Sequence, residues 1–368
     1  MRPSVGAVPT VFVLLFLVAR TSLAGAIARP IINGDPAAEG AWPFMVALVF
    51  AGDDETVDFI RCGGTLVHPR FVLTAAHCVI DFLEDPSLSP GFLEVIGGKT
   101  RLTSTAGMRV AVDKVIVNPE YEPVGFRSVL NDLALVRLAS PLPLAPAALP
   151  GADDSALTAG GTSATILGWG MTDPEHPILP DVLQEAVVPI VANDECSDSH
   201  GLLFKGDAML CAGVLASSPD ADDGVDVCNG DSGGPILVRS GEQWTQVGVT
   251  SWGFECGSDE FVGVYTRVAH YAAWLESNLD VVGQARATLS QLLPILDALR
   301  RDRSRPLRRS AQSNVAVLAD LSATFGDEIA TVLPNFTPAR VKALARSLRR
   351  GRLRSATRLV RDLLAEAG

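Results

Sequence analysis

Between Ile31 and Val262 the chain is cut into apolar runs too short for helices, and this narrows the fold more than any other feature. Phe44–Phe50, Phe71–Leu73, Val110–Val117, Leu133–Leu138, Ala164–Leu167, Pro235–Val238 and Gln246–Thr250 are separated by Gly, Pro, Asp and Asn. Several alternate or are rich in β-branched residues, which suits strands, and the punctuation marks turns. The predicted class is all-β, a barrel or sandwich. Helical spacing begins only at Val268–Leu279. Beyond it, residues 281–368 read as wholly helical, over Ala287–Leu299, Asn314–Phe325 and Pro338 to the C-terminus. The Arg-rich piece Arg300–Arg309, with Pro306 inside it, is expected to be an exposed linker.

Charge changes sign where the pattern does. The net charge of −12 conceals two opposed regions. Residues 281–368 carry 16 Lys/Arg against 7 Asp/Glu, and the remainder carries 14 against 35. A reversal from −21 to +9 predicts a domain boundary near residue 280. The apolar content of 48% argues against general disorder.

Residues 1–26 read as a signal peptide: Arg2, the apolar stretch Val11–Ala19, then small residues at Ala24 and Ala26, with a second small-residue site at Ala26-Ile27-Ala28. Arg20 interrupts the run short of the roughly 20 residues a membrane-spanning helix needs. A secreted protein is expected, extracellular or, from a bacterium, periplasmic, with no integral membrane segment after signal removal. Six cysteines, Cys62, Cys78, Cys196, Cys211, Cys228 and Cys256, suit three disulfides in an oxidising compartment. Their number alone leaves about 15 connectivities open. None has zinc-site spacing, and no metal or organic cofactor is expected.

The strongest chemical signal is Gly230-Asp231-Ser232-Gly233-Gly234-Pro235. Nucleophilic serine catalysis needs a hydroxyl on a tight turn whose backbone N–H groups converge on the developing oxyanion, and flanking glycines permit that turn. Thr74-Ala75-Ala76-His77-Cys78 sets a histidine directly after an apolar strand, and Asn131-Asp132-Leu133-Ala134-Leu135 sets an acid just before another. A serine nucleophile needs a base, and the base needs a partner to fix its tautomer. The chain order His, Asp, Ser is one of the known solutions.

These motifs resemble the chymotrypsin/trypsin family of serine proteases. So do Ile31-Ile32-Asn33-Gly34, like the mature N-terminus of such enzymes, and Cys62-Gly63-Gly64-Thr65-Leu66, like the strand leading to the histidine. Gly168-Trp169-Gly170, Ser251-Trp252-Gly253 and Gly263-Val264-Tyr265-Thr266-Arg267-Val268 also match, and the likeness runs from Ile31 to about Leu279. The resemblance implies two six-stranded antiparallel β-barrels with a C-terminal helix, here followed by a helical extension. It implies a domain division of signal peptide 1–26, short propeptide 27–30, peptidase 31–280 and basic extension 281–368. It implies the triad His77, Asp132 and Ser232, an oxyanion hole from the N–H groups of Gly230 and Ser232, and disulfides Cys62–Cys78, Cys196–Cys211 and Cys228–Cys256. Ser251, Trp252 and Gly253 would line up with substrate backbone.

By the same resemblance Asp226 lies at the base of the primary pocket and selects Arg or Lys, with Gly253 and Gly263 as its small walls. Val227 replaces the usual Ser beside the acid, which favours Arg over Lys. Glu255 stands at the rim where Gly is usual, so it either adds attraction or obstructs entry. Activation would free the Ile31 amine to pair with Asp231. Pro30 stands where such proteins carry a basic residue, so stepwise removal of Ile27-Ala28 and Arg29-Pro30 by a dipeptidyl peptidase is the expected route.

Residues 281–368 resemble no family we recognise. They read as a solvated helical appendage packing on itself or on the rest of the chain. The basic stretch Arg340–Arg361 also suits an anionic surface, a polyanion or the acidic face of the same protein. The arginines at 300–309, other than Arg305 before Pro306, are expected sites of self-cleavage. Asn335-Phe336-Thr337 is the single glycosylation sequon, weakened by Pro338. A binding protein on the same scaffold is the competing class. A serine esterase would require a G-x-S-x-G elbow and the order Ser, Asp, His, and has neither.

Overall fold

The computed structural model describes residues 30–52, 60–81, 89–124, 128–173, 179–219, 221, 223–302 and 304–364, so the expected signal peptide and Ile27–Arg29 lie outside it. Six antiparallel strands close a first barrel: β1 (Met45–Phe50), β2 (Ile60–His68), β3 (Phe71–Thr74), β4 (Leu93–Gly97), β5 (Met108–Val117) and β6 (Ala134–Leu138), in the order β1-β2-β3-β6-β5-β4. The alternation that marked β5 turns Val110, Val112 and Val115 inward, while β1, β3 and β6 are apolar on both faces because the barrel and its neighbours cover both.

A second barrel follows: β7 (Ser163–Gly168), β8 (Gln184–Val191), β9 (Met209–Ala212), β10 (Pro235–Ser240), β11 (Gln243–Trp252) and β12 (Gly263–Arg267). Its order is β8-β7-β10-β11-β12-β9, with β9 pairing back onto β8 through Ile190↔Ala212 and Val191↔Cys211. The two barrels are those the resemblance implies. Ile31, Ile166, Val188, Leu210, Ile236 and Tyr265 share the second core. Helix α1 (Asn193–His200) and α2 (Ala272–Leu279) complete this part of the chain. The cysteines pair Cys62–Cys78, Cys196–Cys211 and Cys228–Cys256.

One residue after α2, the chain turns into α3 (Val281–Arg301), whose first turn is capped by the Asp280 carboxylate accepting from Gly283 N at 2.7 Å. Four helices follow: α4 (Arg305–Thr324), α5 (Gly326–Ala330), α6 (Pro338–Arg349) and α7 (Leu353–Leu364). In α3 the buried Val281, Ala285, Leu289, Leu292, Leu296 and Leu299 recur three or four residues apart, one stripe facing the bundle. Thr337, the threonine of the sequon, caps α6 by accepting from Arg340 N.

Two expectations are corrected here. The Arg-rich piece is mostly helical: Arg300 and Arg301 close α3 and Arg305–Arg309 open α4, while Arg303 lies outside the described residues. Pro306 sits in the first turn of a helix, where no intrahelical N–H is needed, and so starts α4 instead of breaking it. The helix expected from Pro338 onward is two, divided at Gly351, whose φ of 66° is open to glycine at little cost.

The extension is bound to the first barrel. Phe325 stacks on Phe71 of β3, ring centroids 5.6 Å apart and planes 6° from parallel, with His68 and Arg70 against its other sides. Arg137 of β6 is 8% exposed and gripped by two carboxylates. Asp113 of β5 accepts from its Nε at 2.7 Å, and Asp320 of α4 accepts from both terminal nitrogens at 2.6 and 3.0 Å. Such bidentate pairing satisfies a buried guanidinium, and the two acids hold Arg137 above even its ordinary high pKa despite burial. The net-basic extension thus meets the acidic part of the chain with charges reversed.

Candidate active site

His77 lies on the short turn after β3, and Asp132 just before β6; β3 and β6 pair directly, with Thr74 opposite Ala134, so the barrel brings the two together. Asp132 is 1% exposed and fully engaged. His77 Nδ1 and Asp132 Oδ2 are 2.8 Å apart, His77 N donates to Oδ1 at 2.9 Å, and Ser251 Oγ donates to Oδ2 at 2.6 Å. This fixes the imidazole with Nδ1 as the donor and leaves Nε2 as the basic nitrogen. Burial works against protonation of His77, but the charge and hydrogen bond of Asp132 outweigh it, with a smaller opposing contribution from Arg61, and the net shift is upward. The role of Ser251 as a donor to Asp132 carried no sequence signal; its neighbours marked it only as part of a substrate-binding strand.

Ser232 stands half-buried in the loop before β10, and that loop is docked against the strands that carry His77. Gly63 N on β2 donates to Ser232 O at 2.8 Å, and Gly233 N donates to Thr250 O at 2.8 Å. Gly233 has a φ of 78°, and a Cβ there would overlap Thr74 Oγ1 and Gly63 O, so only glycine allows the loop to seat this close. Among the described residues, the N–H groups of Gly230 and Ser232 find no acceptor within the chain, whereas the N–H groups of Asp231, Gly233 and Gly234 do. Two donors left free on a glycine-rich turn beside a hydroxyl are what an oxyanion requires.

Two more carboxylates are buried beside this loop. Asp231 is completely buried and accepts from Gly170 N at 2.7 Å and Cys228 N at 2.9 Å, with no cation against it among the described residues. Burial pushes its pKa up to about 7, and the two N–H groups only partly oppose this. Ile31 is equally buried, in the second core, and carries a φ of 41° that is costly for a β-branched residue. Ile32 pairs with Asp226 across an antiparallel bridge.

Asp226 is 2% exposed and accepts from Val227 N at 2.8 Å and Gly263 N at 3.1 Å. Burial drives its pKa well above the usual carboxylate range, against those hydrogen bonds. A Cβ on Gly263 would come within 2.7 Å of Asp226 Oδ1, while one on Gly253 would meet only Gly263 Cα, at 3.9 Å. Gly263 therefore closes over the carboxylate and Gly253 leaves the space beside it open. Val227 points into the second core, and Glu255 is exposed. Trp252 is largely buried against His200 and Phe254. The groupings Cys62–His77–Cys78 and Cys196–His200–Cys211 spend their sulfurs in disulfides and do not offer thiolates to a metal.

Residues 31–275 match the family model described as Trypsin, which ends before the extension. The chain is 39% identical over 243 residues to a protein named "Trypsin" from Saccharopolyspora erythraea, covering 66% of this chain and 94% of that one. It is 35% identical over 273 residues to "Serine protease 56" from Homo sapiens, covering 72% of this chain and 41% of that protein.

Proposed function

The chain belongs to the trypsin family of serine endopeptidases, and on that premise we propose that it cleaves peptide bonds after Arg, and less readily after Lys, with His77, Asp132 and Ser232 as its triad. The observation that carries this reading is the fully satisfied Asp132 carboxylate orienting His77 beside the docked Ser232 loop. His77 Nε2 takes the proton of Ser232 Oγ as it attacks the scissile carbonyl. The resulting oxyanion is held by the N–H groups of Gly230 and Ser232. His77 then returns the proton to the leaving amine, and the acyl-enzyme is released by water through the same base.

Asp226 supports the choice of a cationic side chain: its backbone hydrogen bonds do not offset the burial of its charge, which a cation would, and a guanidinium brings the matching fork. Without a hydroxyl at Val227 to help a shorter ammonium, Arg is the better ligand. Ser251, Trp252 and Gly253 form the edge along which substrate backbone lies. The protein is exported, as three disulfides suit, and is made as a zymogen. Removal of Pro30 frees an Ile31 amine whose counter-ion is Asp231, a buried acid with no other cation against it among the described residues. N-terminal sequencing of the secreted protein tests this, and a start other than Ile31 counts against it.

The deciding experiment is initial-rate hydrolysis of matched peptide amides ending in Arg, Lys, Phe or Ala by protein that begins at Ile31. The expected order is Arg first, Lys second, with negligible turnover of the others. Folded protein with that terminus that turns over none of them would instead favour a binding protein on a peptidase scaffold.

A further inference from the structure

The end of the helical extension at which α3 closes, α4 opens and α6 passes into α7 is rich in arginine. A cleft of about 90 Å³ opens there, lined by Arg308 and Gln312 of α4 and Arg349 of α6, with Leu299, Leu348 and Leu353 as its apolar wall. One water needs only about 10–15 Å³ of such space, so the cleft has room for several waters or a small oxyanion. Arg305, Arg309, Arg350 and Arg352, within three residues of the lining arginines in sequence, are exposed. Asp297 pairs with Arg300 at 3.3 Å. Among the described residues neither Arg308 nor Arg349 has an ion-pair partner, although Arg137 in the same protein has two. Clustered like charge destabilises a fold unless a counter-charge joins it.

The chemistry of these groups narrows the ligand. Nearly every cation here is arginine, whose planar fork pairs bidentately with phosphate oxygens, and Gln312 adds a neutral amide donor. No Phe, Tyr or Trp occurs in α6 or α7, so nothing on that hairpin stacks on a base. The leucines of the cleft are buried or half-buried, and among the described residues of the extension the exposed large apolar ones, Val317 and Val332, do not line the cleft, so its described surface offers a bilayer no apolar anchor there.

We propose that this end of the bundle binds consecutive phosphate groups of an inorganic polyphosphate. One phosphate sits between the Arg308 and Arg349 guanidinium groups, and its neighbours lie on Arg305, Arg309, Arg350 and Arg352. The site is independent of the peptidase chemistry and holds whether or not the reading of the pocket does.

The test is calorimetric titration of full-length Ser232→Ala protein, which cannot cut itself, with tripolyphosphate at fixed ionic strength. Saturable 1:1 binding that weakens steeply with added NaCl is expected. Arg308→Gln with Arg349→Gln should weaken it at least about tenfold, as two bidentate contacts are lost. Arg340→Gln with Arg361→Gln removes the same charge away from the cleft and should weaken it less than about threefold. Each double variant is first matched to the parent in thermal unfolding; if the first pair does not fold, Gln312→Ala with Arg349→Lys replaces it, expected to weaken binding severalfold. Equal losses from the two pairs would show diffuse attraction and overturn the site, as would absence of saturable binding. A thymidine oligonucleotide or phosphatidylglycerol vesicles binding more tightly than tripolyphosphate at the same salt would overturn the choice of ligand.

Discussion

The two barrels share a topology but hold their functional groups by different means. The first presents His77 and Asp132 as side chains locked to each other by direct hydrogen bonds, and a helical extension grips its outer surface through Arg137 and Phe71. The second offers backbone: among the described residues the N–H groups of Gly230 and Ser232 find no acceptor, glycines shape the space beside Asp226, and Asp231 lies buried next to Ser232. It carries two of the three disulfides. Side-chain devices tolerate a chain held from behind, whereas backbone devices depend on what is buried beneath them. Damage to the His77–Asp132 pair or to the Ser232 loop should therefore appear as lost chemistry, damage around Asp226 as lost recognition, and damage to the contacts behind the first barrel as lost stability.

The largest effect tests the point where the barrels meet. Ser232→Ala should lower kcat/KM by at least about 10⁴-fold while leaving binding of an Arg peptide intact, measured by steady-state kinetics and competition. Asp226→Ser should cost about 10²–10³-fold in kcat/KM for Arg substrates, chiefly through KM, as expected when one partner of a buried charge pair is removed. Because the Asp226 pKa is raised, KM for the parent should also climb as pH falls, and the variant should lose that dependence.

Asp231 gives the next contrast, read in stability. Its folded-state pKa of about 7 exceeds the ordinary carboxylate value of about 3.8, so the folded chain binds the proton more tightly than the unfolded one. In protein still carrying Pro30, the contribution of Asp231 to stability should be present in full below about pH 4 and be lost as pH rises through about 7. Protein beginning at Ile31, with an amine beside the carboxylate, should lose far less over the same window. Parallel thermal melts across pH decide it.

Phe325→Ala should destabilise by about 3 kcal/mol, and Asp320→Ala by less because Asp113 still holds Arg137, in each case with an unchanged kcat well below the melting temperature. A fall in kcat without a fall in melting temperature would break the separation between support and chemistry. The smallest effect belongs to Ser251→Ala. Without that donor the Asp132 charge is less dispersed, so His77 should be harder to deprotonate. The acid limb of kcat/KM, already above the usual imidazole value of about 6.5, should move slightly further up, with a loss of a few-fold in rate.

Local signals carried the reading of the sequence, and contacts between distant segments were where it stopped. The alternation in Val110–Val117 and the glycines around Ser232 announced their conformations within a few residues. Arg137 and Asp320 lie 183 residues apart, and neither has a local feature that marks a buried ion pair. Pro306 was ambiguous in isolation, since proline both ends helices and starts them, and only the seating of α4 resolves which. The arginines of 300–309, read as a cleavable linker, mostly sit on helical turns, where a peptidase cleft that needs extended backbone finds little purchase.

The grip of α4 and α5 on the first barrel also changes what a cut in the chain would do. Severing residues 302–304 would yield two polypeptides on a denaturing gel. Yet the distal one would stay seated by Asp320 on Arg137, by Phe325 on Phe71 and by Thr357 against Arg300 of α3. On a sizing column the nicked protein would travel as one particle. Continuity of the backbone and continuity of the molecule are separate properties here, and the second outlasts the first.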